Sequence, residues 1–203
     1  MSRKIAIDVV LLPEDKVTTR AIEANRELVR KFGEKIVLDR SGCLPHISLC
    51  MGCIADCDMG AAEEVLREIA ANTSLPELTI TGLGIAENSH GETVSAFQID
   101  AIPQLQMLHE QVMKELRPFT DYDVTADMLI NPNEVERSTL LWIKNYRDKS
   151  SFVNFLPHIT IGYGQATAVD LPASFIASEL AICHLGNHCT CRKVLWSVKL
   201  QQN

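Results

Sequence analysis

The spacing of apolar residues changes along the chain between the continuous or alternating pattern of a strand and the helical period of about 3.6 residues. These changes predict a series of strands and helices. Residues 5–13, IAIDVVLLP, are rich in β-branched and aliphatic side chains and predict a buried strand that ends at a proline. The next segment has apolar residues at helical spacing and predicts a helix, with Thr18 or Thr19 as its N-terminal cap and Gly33 at its end. A short strand and a turn are expected over residues 35–42.

The same alternation continues to the end of the chain. The predicted helices span about residues 60–72, 102–118 and 135–149, and the predicted strands span 44–52, 78–88, 92–100, 155–164, 180–186 and 191–200. Two of these strands should pair around a polar turn that contains His90, whereas residues 119–133 have no clear period and predict a loop. No Gly/Ser-rich linker or low-complexity tract divides the chain, so residues 1–203 are expected to form a single domain with two lobes.

The composition limits the classes of partner. A chain of 203 residues can bury one large core or two smaller ones. Its formal charge of −7 argues against wrapping a long nucleic acid, which requires a basic surface, but it permits a nucleotide or a short RNA end in a local pocket. The apolar run near the N-terminus is interrupted by Asp8 and is too short for a signal peptide, and no stretch approaches the ~20 apolar residues of a membrane-spanning helix. We therefore expect a soluble, cytoplasmic protein without a membrane partner, and nothing in the sequence indicates an obligate protein partner.

One pentapeptide occurs almost unchanged at two places in the chain. The sequence LPHIS ends at Ser48 and the sequence LPHIT ends at Thr160, and both lie in predicted strands. Residues i and i+2 of a strand point to the same face, so His46 should project beside Ser48 and His158 beside Thr160. The isoleucine between each pair should point the other way and anchor the strand in the core.

If both strands line one cleft, that cleft receives two imidazoles and two hydroxyls, a set suited to hydrolysis of a phosphodiester. A neutral imidazole can take a proton from water and an imidazolium can give one to the leaving oxygen, and an ordinary histidine pKa near ~6.5 makes both forms available at neutral pH. The hydroxyls can donate hydrogen bonds to the non-bridging phosphate oxygens, and such a scheme requires no metal. One H-x-[ST] triplet is weak evidence, since about one is expected by chance, but a repeated LPHI[ST] is much more specific.

The two motifs resemble those of the 2H phosphoesterase superfamily, named for its paired H-x-[ST] triplets, and in particular its branch of 2′-5′ RNA ligases and RNA 2′,3′-cyclic phosphodiesterases. The resemblance implies a bilobal α+β fold, in which two pseudo-twofold-related lobes of antiparallel sheet plus helices surround a central cleft. It also implies metal-independent hydrolysis, without a cofactor, of 2′,3′-cyclic phosphates or 2′-5′ phosphodiester bonds in nucleotides or short RNA. His46 and His158 correspond to the catalytic histidines, and Ser48 and Thr160 to residues that bind the substrate phosphate. Which histidine is the base and which the acid is left open.

Other interpretations of the same residues remain. Tyr163, which follows the second motif, is a weaker candidate for stacking on a nucleotide base, although packing at the end of the strand would explain it equally well. The main alternative function is a non-catalytic module that binds a nucleotide or an RNA end on the same fold.

The seven cysteines suggest a third function, that of a metal-binding or redox protein. Cys50, Cys53 and Cys57 are closely spaced, and the segment from Cys183 to Cys191 holds three cysteines and two histidines. These spacings match no standard metal framework, and an odd number of cysteines without a secretory signal favours reduced thiols over disulfides. We therefore expect free thiols and no bound metal.

Overall fold

The computed structural model describes residues 2–88, 91–167, 174–177 and 179–201. The helices among them are α1 (Asp15–Phe32), α2 (Met59–Ala71), α3 (Pro103–Glu115) and α4 (Arg137–Lys149). The strands are β1 (Lys4–Leu12), β2 (Ile47–Ala55), β3 (Leu78–Glu87), β4 (Thr93–Ile99), β5 (Thr120–Asp121), β6 (His158–Tyr163), β7 (Ser174–Phe175), β8 (Glu179–Leu185) and β9 (Cys191–Lys199). His90 lies outside the described residues. None of the described helices is long and apolar enough to cross a membrane.

The strands form two antiparallel sheets, and each sheet contains one motif strand. The larger sheet has the order β5-β2-β1-β8-β9 and the smaller one has the order β6-β4-β3-β7. The first motif leads into β2 and the second begins β6. With helices packed against both sheets, the predicted α+β class is confirmed.

The motif strands are anchored as the alternation of their residues predicts. Ile47 and Leu49 of β2, together with Ile159 and Ile161 of β6, are fully buried. Burying a side chain of this size stabilises the fold by about 1.5–3 kcal/mol. The backs of both motif strands are therefore held in the core, which leaves the opposite faces for polar side chains.

Each motif strand is covered by a helix from the other part of the chain. The unit β1–α1–β2 corresponds to the unit β4–α3–β6, because in each unit the first strand is the antiparallel neighbour of the motif strand. However, α1 packs on β6 and α3 packs on β2. The two units have thus exchanged helices, and each motif depends on a helix of the other unit.

The segment 35–42 is irregular, so the short strand predicted there is wrong. The buried side chain of Asn25 accepts a hydrogen bond from the Leu38 amide and donates one to the Ile36 carbonyl, both at 2.8 Å. The carboxylate of Asp39 accepts hydrogen bonds from the backbone amides that follow it. Because side chains satisfy these backbone groups, the segment needs no neighbouring strand.

Helix α1 begins three residues before the threonines that were predicted to cap it. Asp15 is its first residue, and the two threonine hydroxyls bond backwards to carbonyls instead. Thr18 Oγ1 donates to the Pro13 carbonyl at 3.2 Å, and Thr19 Oγ1 donates to the Asp15 carbonyl at 2.8 Å. The predicted end of the helix is confirmed, since Gly33 follows it with a φ of 99°.

The cysteines depart from the sequence expectation at one pair. Cys183 of β8 and Cys191 of β9 form a disulfide, so the expectation that every cysteine is a free thiol is wrong for these two. The other five cysteines are free, and Cys50 and Cys53 are buried among apolar residues. Within the described ranges, no three His, Cys, Asp or Glu side chains are grouped so that they could hold a metal ion.

Candidate active site

The structure brings the two predicted histidines together. Strands β2 and β6 contact each other across the boundary between the sheets. Burial is the main cause of the lowered pKa of His46, and His158 is near enough to His46 to contribute to the same shift through its charge. The two motif strands are therefore neighbours, and the two histidines lie near their contact.

A β-bulge interrupts β2 directly after the first motif. Ser48 lies opposite Val10, whereas Cys50 lies opposite Val9, so Leu49 is an extra residue. Such an insertion bends the strand and shifts the alternation of its side chains by one position. The residues after the bulge therefore point to faces that strict alternation would not predict.

Strand β6 carries a bulge at the corresponding place. Thr160 lies opposite Ala96, whereas Gly162 lies opposite Ser95, so Ile161 is the extra residue. In both motif strands the extra residue is the third after the histidine. The two halves of the candidate site thus share a backbone irregularity as well as a motif.

The second bulge brings Tyr163 to the cleft face. Strict alternation from Thr160 would put Tyr163 on the opposite face of β6. Tyr163 instead lies opposite Val94, and Thr160 lies opposite Ala96, which is two residues from Val94 and therefore on the same face. Tyr163 and Thr160 thus line the same side of the sheet, a placement that the sequence pattern does not show.

The carbonyl of each extra residue accepts a hydrogen bond from a buried side chain of a helix. In the first strand, Nδ1 of His109 on α3 donates to the Leu49 carbonyl at 2.7 Å, and its Nε2 accepts from the Phe152 amide at 2.8 Å. Because Nε2 accepts, Nδ1 carries the hydrogen. His109 is fully buried, and this burial lowers its pKa to about 4, so the ring is neutral at neutral pH.

Asn25 on α1 has the same role at the second bulge. Its Nδ2 donates to the Ile161 carbonyl at 2.8 Å. Gly162 has a φ of 139°, and a Cβ there would lie only 2.9 Å from Asn25 Nδ2, so a larger residue would displace the amide. His109 and Asn25 were not predicted to bear on the site, and only the structure reveals their partners.

His46 is held as a neutral imidazole with a free nitrogen. Its Nδ1 lies 2.7 Å from the Leu44 carbonyl, so Nδ1 carries the hydrogen and donates it there. The side chain is 14% exposed. This burial lowers the pKa of His46 to about 4. At neutral pH its Nε2 is therefore unprotonated and can accept a proton.

Asp8 on β1 joins the first motif from the neighbouring strand. Its side chain is fully buried, and its Oδ2 lies 2.6 Å from Ser48 Oγ and 3.7 Å from His46 Nε2. Burial raises the pKa of Asp8 well above its usual range. In the sequence Asp8 stands out only as a charged residue inside an apolar strand, and that pattern was the available clue to a polar site.

The second motif is more open and lacks this carboxyl group. His158 is exposed, and its Nδ1 lies 2.8 Å from the Leu156 carbonyl, as in the first motif. Thr160 is half-buried. Val94 takes the position that corresponds to Asp8. Asp8 lies opposite Met51, the third residue after Ser48, and Val94 lies opposite Tyr163, the third residue after Thr160. The two halves therefore differ in exposure and in the presence of a carboxyl group beside the histidine.

Tyr163 lies in an open groove beside the second motif. The groove has a volume of about 340 Å³, and the residues that line it are Phe32, Lys35, Glu92, Thr93, Tyr163, Gly164 and Gln165. Lys35 Nζ lies 4.9 Å from the centroid of the Tyr163 ring, and the Tyr163 hydroxyl is hydrogen-bonded to His188 Nδ1 at 3.2 Å. The ring is thus held by protein contacts on two sides, and Lys35 is itself paired with the carboxylate of Glu92, which lines the same groove.

Comparisons with known proteins agree with this architecture. A model of the 2′-5′ RNA ligase superfamily matches residues 13–181. No curated protein sequence matches the chain.

Solved structures match over almost the whole chain. TT0787 of Thermus thermophilus superposes with a TM-score of 0.59 at 15% identity, over 98% of this chain and 100% of that one. E. coli LigT in its apo form superposes with a TM-score of 0.50 at 14% identity, over 99% of this chain and 100% of LigT. LigT complexed with 3′-AMP gives a TM-score of 0.50 at 15% identity with the same coverage. These likenesses confirm the predicted bilobal 2H fold.

The buried amide of Asn25 yields a test of the second bulge. In Asn25→Asp the atom that donates to the Ile161 and Ile36 carbonyls becomes an acceptor, so two hydrogen bonds are lost without a change of shape. We expect the free energy of unfolding to fall by about 2–5 kcal/mol, as measured by urea denaturation. Asn145→Asp, on an exposed part of α4, is the matched control and should change it by less than about 0.5 kcal/mol. Equal stabilities of the two variants would contradict the role of Asn25.

The neutral state of His109 yields a pH test. The pKa of His109 is about 4 in the fold and near 6.5 in the unfolded chain, so between these values the unfolded chain binds one more proton and stability rises with pH. His109→Gln removes this contribution. Between pH 4.5 and 6 its free energy of unfolding should rise less steeply than that of the wild type, by about 1.4 kcal/mol per pH unit. Parallel slopes for the two proteins in urea titrations would show that His109 does not titrate as described.

Proposed function

Because the chain belongs to the 2′-5′ RNA ligase superfamily, we propose that it hydrolyses 2′,3′-cyclic phosphates or 2′-5′ phosphodiester bonds of nucleotides or RNA ends, with His46 and His158 as base and acid. Family and fold indicate a protein like the 2H phosphoesterases. The observation that supports the proposal is the contact between the two motif strands, with His158 near enough to His46 for its charge to act on that imidazole. In both motifs Nδ1 is bound to the carbonyl two residues earlier, which leaves both Nε2 atoms for the substrate.

We assign the base role to His46. It is neutral at neutral pH because burial lowers its pKa to about 4, so its Nε2 takes a proton from the attacking water. His158 then protonates the departing ribose oxygen. In the reverse reaction, in which the ribose hydroxyl attacks phosphorus and water leaves, the two histidines exchange roles.

The two hydroxyls bind the phosphate in this scheme. Ser48 and Thr160 lie two residues after the histidines and on the same strand faces, so each hydroxyl is beside an imidazole. Hydrogen bonds from them to the non-bridging oxygens stabilise the charge that develops in the transition state.

Charge and groove shape favour a small substrate. The net charge of −7 opposes the binding of a long polyanion. E. coli LigT has been crystallised with 3′-AMP, which supports a nucleotide as the ligand of this related fold. Tyr163 and the Lys35–Glu92 ion pair border the groove beside the second motif, and we propose that a nucleotide base lies there, stacked on the Tyr163 ring.

The first test is turnover of the four 2′,3′-cyclic nucleoside monophosphates in the presence of a chelator. His46→Ala and His158→Ala should each lower kcat/KM by about 10²- to 10⁴-fold, because each removes one proton-transfer group. His184→Ala is the control, since His184 belongs to neither motif and is bonded to the Met128 carbonyl, and it should leave turnover unchanged. Tight nucleotide binding without turnover would contradict the proposal and favour a binding module.

The pH–rate profile tests the assignment of the base. If His46 is the base, kcat/KM should remain high as the pH falls through 6.5 and should decrease only as His46 becomes protonated, near pH 4. The measurement is kcat/KM for the best cyclic nucleotide between pH 3.5 and 8. An acid limb centred near 6.5 would mean that another group accepts the proton.

A further inference from the structure

Asp8 lies at the first motif with no positive charge to pair with, and the donors near its carboxyl group are the Ser48 hydroxyl and the backbone amide of Cys50. Its side chain is fully buried, and its Oδ1 has no hydrogen-bond donor among the described residues. No Lys or Arg of the described ranges forms an ion pair with Asp8. The basic side chain near it is that of His46, whose Nε2 lies 3.7 Å from Asp8 Oδ2. Burial outweighs these two donors and raises the pKa of Asp8 well above its usual range, because a buried carboxylate without a counter-charge is strongly unfavourable.

The titratable groups around Asp8 supply no positive charge either. Cys50 on β2, Tyr146 on α4 and Cys189 before β9 are near enough for the charge of Asp8 to affect them. Burial raises the pKa of each of these three groups, so all are uncharged at neutral pH. His46 is also neutral there.

The proposed substrate makes an ionised Asp8 still less favourable. Ser48 Oγ lies 2.6 Å from Asp8 Oδ2, so a phosphate bound to Ser48 would lie beside the carboxyl group. Two negative charges at that separation in a buried site repel each other strongly. An ionised Asp8 would also take the single hydrogen of Ser48, which would then have only lone pairs to offer the phosphate.

We propose that Asp8 is a neutral carboxylic acid that donates its hydrogen to Ser48 Oγ, so that Ser48 can donate its own hydrogen to a phosphate oxygen of the substrate. Asp8 is thus a positioning residue that acts through Ser48. The part of the inference that concerns the substrate phosphate rests on the proposed function. The protonation state of Asp8 does not depend on that function. The second motif has Val94 at the corresponding place, so Thr160 is oriented without such a partner.

Activity tests the direction of the hydrogen bond. Asp8→Asn keeps the shape and a donor without a charge, and we expect its kcat/KM to stay within about threefold of the wild type with an unmoved acid limb. Asp8→Val copies the second motif, leaves Ser48 unoriented and should lower kcat/KM by about tenfold, mainly in kcat. In a Ser48→Ala background the same two changes should have no further effect. An Asp8→Asn variant as impaired as Asp8→Val, or one with a shifted acid limb, would overturn the proposal, because an ionised Asp8 would then be required.

Stability gives a test that needs no substrate. If Asp8 is neutral in the fold and ionised in the unfolded chain, its contribution to the stability of the wild type is progressively lost as the pH rises above about 4, and Asp8→Asn lacks this contribution. The unfolding temperature of Asp8→Asn relative to the wild type should therefore increase from pH 5 to pH 8. A constant difference would overturn the neutral state of Asp8. If the wild type turns over no cyclic nucleotide, the proposed function fails, while this comparison still decides the state of Asp8.

Discussion

Two backbone carbonyls, those of Leu49 and Ile161, hold the structure of the candidate site together. Each belongs to the extra residue of a bulge, and each accepts a hydrogen bond from a buried side chain, His109 or Asn25. A buried carbonyl without a donor would be costly, so the bulge, the helix and the side chain must occur together. The bulge in turn sets which residues after the motif face the cleft, including Tyr163.

The two units share a backbone plan but not a chemical environment. His46 is largely buried beside a carboxyl group, whereas His158 is exposed and has Val94 where the first unit has Asp8. Proton transfer requires two groups that behave differently, one ready to accept and one ready to donate. A symmetric fold can supply both only if its two halves diverge around the same motif.

The sequence predicts well the features that depend on neighbouring residues alone. Alternation over five residues is enough to predict both motif strands and their buried faces. Alternation fails where a side chain from another element determines the backbone conformation. Asn25 satisfies backbone groups of segment 35–42, which is irregular where a strand was expected. The two bulges are bonded to side chains of helices that are distant in sequence. Strands β5 and β7 have two residues each, too few to form a pattern. Asp8 was visible as an interruption, but its partners Ser48 and His46 are adjacent only in the sheet.

The packing of α1 on β6 and of α3 on β2 has a consequence for how such a chain can assemble. A half chain on its own would leave its motif strand uncovered and its helix without a sheet to pack on. Two half chains could bury both surfaces only by exchanging helices, as the subunits of a domain-swapped dimer do. The same exchange means that β2 gains its cover only after α3 has been synthesised, so the contacts that complete the first motif join distant parts of the chain and raise its contact order.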